Sequence, residues 1–155
     1  MVINTILETF TQAVKTDTAL RDWCRVNYDN RDLSVFENID LRQPPGETSC
    51  PLVAFFAESK QGGGTQKVGG IGVLCLVLDD ETPQDVHGVK RFTGGRHVET
   101  LRQMVVACLS DAVPDNILID SIDTEYDPIE QFPYVSASMR VVLTEGWTIG
   151  SDHLE

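Results

Sequence analysis

The chain has 155 residues, 41% of them hydrophobic, and 24 acidic against 12 basic side chains give it a formal net charge of −12. That length is one ordinary domain, able to bury roughly two thirds of its unfolded surface and to fold without disulfide or metal staples. The acidity disfavours a protein that grips duplex DNA, since such binding uses basic side chains to displace counterions from phosphate. No apolar run approaches the ~20 residues needed to cross a bilayer.

The N-terminus, MVINTILETF, has no basic residue ahead of its apolar positions and no small-residue cleavage site. It does not read as a secretory signal, and the expected compartment of synthesis is a cytoplasm. Val2, Ile3, Ile6, Leu7, Phe10 and Val14 recur at helical spacing and predict an amphipathic helix over residues 2–15. Thr16 and Asp17 offer an N-cap for a second helical piece, carried by Ala19, Leu20, Trp23 and Cys24 as far as Asn27. A turn cluster, Tyr28 to Arg31, precedes a short strand at Leu33, Val35 and Phe36, which Gln43-Pro44-Pro45-Gly46 closes.

After Pro51 the run LVAFFAES reads as a strand, and IGVLCLVLDD as a second, buried one. Between them KQGGGTQKVGG carries three consecutive glycines at 62–64, which would weaken a strand interior, so it reads as a hairpin tip longer than the usual two to five residues. Residues 82–95, with Pro83, Gly88, Gly94 and Gly95, read as a second long connection. Val98, Leu101, Val105, Cys108 and Leu109 then mark a helix over 96–112 that Pro114 stops.

Two strands, ILIDSIDTEYD and YVSASMRVVLT, finish the domain, joined by an acidic connection with Pro128 and Pro133. From Val135 to Leu143 the odd positions are apolar, while Ser136, Ser138, Arg140 and Thr144 are polar and Val142 is the exception, the pattern of a strand with one buried face. Helices, a strand, a hairpin, one helix and two strands in that order predict an α+β fold. Its sheet, mixed or antiparallel and of about five strands, would have the N-terminal helix and one long helix packed on it. Residues 1–146 form the expected single domain and 147–155 a C-terminal tail.

No chemistry-bearing motif stands out. Cys24, Cys50, Cys75 and Cys108 are far apart without a C-x-x-C pair, and Cys75 and Cys108 lie in apolar runs where a thiol packs as a small hydrophobe. GGGTQK fails the P-loop spacing, and in GGIG the third glycine of a dinucleotide fingerprint is replaced by Cys75. Gly94-Gly95 could offer backbone N–H groups to an anion, although a plain helix start is the simpler reading. Asp123, Glu125 and Asp127 alternate along a strand and so share a face, but an EF-hand would need glycine at Pro128 and glutamate at Tyr134. A solvated acidic face is the favoured reading, for them and for Asp79, Asp80, Glu81 and Asp85. His87, His97 and His153 lack zinc spacing and read as surface residues, and no G-x-S-x-G elbow is present. No catalytic, cofactor-binding or metal-binding residue is expected.

The order of elements, from the apolar N-terminal helix through LVAFFAES, the hairpin and IGVLCLVLDD to the helix at 96–112 and the VSASMRVVL strand, resembles the tail terminator or tail completion (neck) proteins of long-tailed bacteriophages. The resemblance covers most of the domain and is one of architecture. It implies a structural virion protein without enzymatic activity, assembled in the host cytoplasm. Such a protein forms a hexameric ring at the head–tail junction, caps the tail tube and meets the head connector, while DNA passes through the lumen without specific binding and no membrane is involved. On that picture Gly62, Gly63, Gly64, Thr65, Gln66 and Lys67 at the hairpin tip would reach a neighbouring subunit. His87 and Arg91 in the second connection, and Trp147, Ile149 and Leu154 in the tail, would do the same; mobile exposed loops are the competing reading. Asp79, Asp80, Glu81 and Asp85, with Asp123, Glu125 and Asp127, are the candidates for an acidic channel wall. The rival class is a small cytoplasmic enzyme or ligand-binding α+β domain, with Gly94, Gly95, Arg96 and His97 near a pocket.

Overall fold

The structure, a computed structural model, describes residues 2–39, 45–61, 67–79 and 82–146, with the backbone alone for 59–61, 67 and 68. Two helices, α1 (Ile3–Thr16) and α2 (Thr18–Asn27), lead into strand β1 (Ser34–Glu37), a single 3-10 turn at Glu47–Ser49, and strands β2 (Leu52–Gln61) and β3 (Lys67–Leu78). A small hairpin, β4 (Gln84–Val86) and β5 (Val89–Arg91), precedes α3 (Gly94–Ala112), and β6 (Ile117–Asp127) and β7 (Tyr134–Glu145) follow. The main sheet has the order β1-β2-β3-β7-β6, with β1 parallel to β2 and every other pair antiparallel. It is the expected α+β architecture with a mixed five-stranded sheet.

The helices form where the apolar spacing says they should. Ile3, Ile6, Leu7, Phe10 and Val14 of α1 are buried, as are Val98, Leu101, Val105, Cys108 and Leu109 of α3. Asp17 begins α2 by accepting a hydrogen bond from the Leu20 N–H at 2.8 Å, satisfying one of the orphan donors of the first turn. Both long helices cover one face of the sheet, where β7 contributes Val135, Ala137, Met139, Val141 and Leu143, all buried. Val142, the exception in the alternation, pairs with Gly70 and lies on the opposite face.

The two long connections are shorter than their composition suggests. β2 and β3 stay paired out to Gln61↔Val68, so Lys67, Gly69 and Gly70 are strand residues and the linker is residues 62–66, within the ordinary length of a hairpin loop. Gly62, Gly63, Gly64, Thr65 and Gln66 lie outside the described residues, as do Asp80, Glu81 and the tail residues Trp147, Ile149, His153 and Leu154. The connection over 82–95 contains the β4–β5 hairpin, turning through His87 (φ 53°) and Gly88 (φ 79°), the two consecutive left-handed residues that a tight hairpin turn demands. α3 accordingly starts at Gly94, ahead of Arg96.

Candidate functional site

The end of the sheet where β3 finishes and α3 begins gathers the chain's most unusual side chains. Asp79, the first residue after β3, is 5% exposed, and its Oδ2 accepts a hydrogen bond from the Gly94 N–H at 2.9 Å. Glycine is required there, because a Cβ at position 94 would sit 2.7 Å from the Asp79 Cβ and 3.0 Å from a Val135 methyl. The anion at this helix N-terminus is therefore the chain's own carboxylate, placed where the helix dipole favours it. The Gly94 N–H is already engaged, and Asp79, read from the sequence as part of a solvated acidic face, is buried as a cap.

One turn into α3, His97 is half-buried rather than a surface residue. Its Nδ1 lies 2.9 Å from the Tyr28 hydroxyl, and the Trp23 ring meets it edge-on with centroids 5.7 Å apart. This aromatic cluster fastens the C-terminal end of α2 to the start of α3. Beside it lies a cavity of about 330 Å³ lined by Tyr28, Asp29, Arg31, Leu78, Thr93 and His97. Of the four residues proposed near a pocket, only His97 lines it; Gly95 and Arg96 are exposed. The imidazole is hydrogen-bonded to a phenol, and Asp29 lines the same cavity.

The four thiols are buried and chemically quiet. Burial pushes Cys24, Cys75 and Cys108 up to about 12 and Cys50 up to about 11, so each is the protonated packing group that its apolar surroundings imply. Among the described residues, no three histidine, cysteine, aspartate or glutamate side chains come together as a metal set, and no helix is long and apolar enough to cross a membrane.

The exposed surface at this same end is more distinctive. Phe92, just after the hairpin, is 51% exposed and stacks edge-on against Phe132 of the β6–β7 turn at 5.8 Å. Ile129 in that turn is 79% exposed, and Val89 on the hairpin is exposed too. His87 sits at the hairpin's turn and is exposed, and Arg91 is half-buried on β5 opposite Gln84. These two interface candidates belong to one surface. Lys67 pairs with Glu145 at the other end of β3.

The acidic candidates also separate. Asp123 and Glu125 are exposed, opposite Arg140 and Ser138 on the face away from α1 and α3. Asp127 shares that face but is half-buried, its Oδ1 accepting from the Ile129 and Glu130 N–H groups at 3.2 and 3.0 Å, so it shapes the β6–β7 turn. Asp85 is exposed on β4.

One polar network escaped the sequence reading. Arg102 donates to Glu99 at 2.6 Å, and Tyr126 of β6 donates its hydroxyl to the same carboxylate, tying α3 to an edge strand. The Arg102 bond, with help from Tyr126 and Gln103, pulls the Glu99 carboxyl down to about 2. The i,i+3 spacing of Glu99 and Arg102 was a visible signal. Nothing local links either residue to Tyr126.

No protein-family model matches the chain, and no curated protein does. Among solved structures it is similar to a chain of the virion of a native gene transfer agent (GTA) particle, at 13% identity over 88% of this chain and 89% of that one, with a TM-score of 0.40.

Proposed function

We propose that this protein is a structural subunit of a tailed-phage-type virion that assembles into a homo-oligomeric ring, six copies by the resemblance, at the head–tail junction. There it caps the tail tube and joins it to the head connector, with DNA passing through the lumen. The observation that carries the reading is the exposed apolar surface formed by Phe92, Phe132, Ile129 and Val89 on two neighbouring loops, a surface suited to protein contact. The observed order of elements, which agrees with the one the resemblance implies, supports it.

The formal charge of −12 suits a bore past which phosphate must slide, since attraction summed over many contacts would hold the duplex in place. Only carboxylates within about 8 Å of the lumen would matter at physiological salt. Asp85, Asp123 and Glu125 are the described candidates that remain, with Asp80 and Glu81 beside them in sequence. The isolated protein should show negligible retention of duplex DNA at low salt, and salt-sensitive micromolar binding would sink the acidic-channel argument.

Light scattering and electron microscopy of the purified chain, alone and with tail tubes, test the ring. Monomers at low concentration and rings at high concentration or on tubes are the expected result. A protein that stays monomeric in both settings and is absent from purified particles overturns it. Cavities of about 400 and 560 Å³ lie beside Leu74 on the face of the sheet away from α1 and α3; the cavity beside His97, the one that a sequence-proposed pocket residue lines, is the feature a small-ligand domain would use. If His97→Ala assembles as the wild type does, that cavity has no part in the ring.

A further inference from the structure

Nine of the chain's lysines and arginines have described side chains, and six of these are engaged by partners within the chain. Lys15 donates to the Leu33 carbonyl at 3.0 Å and Arg31 to the Glu47 carbonyl at 3.3 Å, while Arg21 and Arg25 pair with Asp32 at 3.0 and 3.5 Å. Arg102 pairs with Glu99 at 2.6 Å and Arg140 with Glu58 at 3.4 Å. The remaining three are Lys90, Arg91 and Arg96. None makes a hydrogen bond or ion pair among the described residues, although Lys90 stands across the β4–β5 hairpin from Asp85, and all three fall on β5 and the first turn of α3.

Two further facts make that surface costly for an isolated subunit. Arg96 stands in the first helical turn, where the dipole disfavours a cation. Val89 and Phe92 are exposed between and beside the cations. A strongly acidic chain whose unbonded cations, among the described residues, share one apolar-studded surface, with Arg96 against the helix dipole, has compensation for that arrangement outside the subunit.

The complementary surface is on the same chain. β6 ends the sheet, paired on one side by β7 alone, and it carries exposed Asp120, Asp123 and Glu125 with no cation held against them; Arg140, across from Asp123, is engaged by Glu58. Leu118, whose partner Thr144 lies on the same face as Arg140, is an exposed apolar group of the strand. A bulge between Ile119 and Ser121 together with the acidic side chains guards this edge against indiscriminate strand pairing while leaving it open to a basic partner.

We propose that the β4–β5 hairpin and first turn of α3 of one copy dock on the β6 edge of a second copy, setting Lys90, Arg91 and Arg96 against Asp120, Asp123 and Glu125. The occupant is this chain itself, because the unbonded cations of one surface and the unbonded carboxylates of the other are opposite in sign and each set has an exposed apolar group beside it. Two different patches give a head-to-tail contact, the kind that closes into a ring when the rotation permits. The charges set orientation and encounter rate, and the apolar groups hold the seam. The inference rests on the ring reading above, and it takes Asp123 and Glu125 from the channel wall into the subunit seam.

The test uses the full chain in two forms, K90E/R91E/R96E and D120K/D123K/E125K, with K90E/R96E as a milder form that spares half-buried Arg91. Circular dichroism and thermal melts select folded variants, and light scattering with electron microscopy reads assembly at concentrations where the wild type forms rings. Each variant alone should self-associate about tenfold more weakly or not at all, and an equal mixture of the two should co-assemble, since each then offers the sign the other lacks. Folded variants that assemble as well as the wild type, or that stay apart when mixed, overturn this docking while the ring stands. A wild type that never self-associates overturns the ring itself. A hairpin variant that assembles normally but loses retention of duplex DNA would assign the surface to nucleic acid and overturn the proposal.

Discussion

Phe55 and Phe56 are neighbours on β2 and point to opposite faces of one sheet. Phe55 is 0% exposed, paired in register with Val73 and part of the core that α1 and α3 close. Phe56 is 37% exposed and lies over Gly72, where a Cβ would come within 2.1 Å of its ring. The first face holds nearly all the large buried side chains. The second is closed over β1 and β2 by a small cluster, Cys50, Leu52, Ala54 and Leu78, and becomes polar across β7 and β6 with Ser136, Ser138, Arg140, Asp123 and Glu125. Stability resides on the helix-covered face, which leaves the other face, the β6 edge and the hairpin end open to assembly.

The largest test of that division compares the two phenylalanines. Phe55→Ala should cost about 3–5 kcal/mol by leaving a cavity in a close-packed core, and Phe56→Ala about 1–2 kcal/mol because over a third of the residue is already exposed. Urea unfolding midpoints at unchanged slope measure both. Equal losses would mean that the second face is as much a core as the first.

Adjacent glycines sharpen the contrast at the start of α3. Gly94→Ala should cost about 2 kcal/mol, since its methyl group would collide with Asp79 and Val135 and disturb the cap. At Gly95 a methyl meets nothing within 4 Å, so Gly95→Ala should be neutral or stabilise by up to about 1 kcal/mol through helix propensity. A Gly94→Ala variant that melts at the wild-type temperature would show that the cap is not under close-packing constraint.

Glu99 provides a smaller, pH-dependent effect between helix and edge strand. Its folded carboxyl is depressed to about 2, so the stability it contributes is fully present above the usual carboxylate range and is lost as pH falls toward that value. Glu99→Gln should cost no more than about 1 kcal/mol at neutral pH, because the pair is partly solvated, and should flatten the acid-side decline in unfolding midpoint. An unchanged acid profile would show that Arg102 and Tyr126 do not hold the carboxylate in solution.

The smallest effect concerns thiol labelling. Cys75 lies on the helix-covered face and Cys50 under the small cluster of the opposite one, both protonated and buried. Neither should react with a thiol reagent in the native protein at mildly alkaline pH. In mild denaturant Cys50 should label before Cys75, because the smaller cluster opens locally at lower cost. Simultaneous labelling would mean that the two faces unfold as one unit.

Much of the scaffold was legible in the chain. The stripes of α1 and α3, the cap at Asp17, the stop before Pro114 and the alternation from Val135 to Leu143 are local periodicities, and burial follows them residue by residue. The β4–β5 hairpin was missed because three-residue strands are too short to show a period. The extension of β2 past Ser59 and of β3 ahead of Ile71 was missed because glycine-rich composition outweighed a pairing that only the partner strand enforces. Asp123 and Glu125 share a face as their spacing required, whereas Asp79, read as one of an acidic cluster, is a buried cap for a helix that starts fifteen residues later.

By itself the sequence determined which residues form helices and strands and which side of each is apolar, because those depend on spacing along one element. The tertiary structure alone decided that β6 stands at the sheet's edge, that His97 packs against Tyr28 and Trp23, and that, among the described residues, three cations make no hydrogen bond or ion pair while six others do. Each of these is a relation between groups distant in sequence. Whether a charge is satisfied or an edge left open depends on which neighbour the topology brings beside it, and periodicity along a single element carries no information about that neighbour.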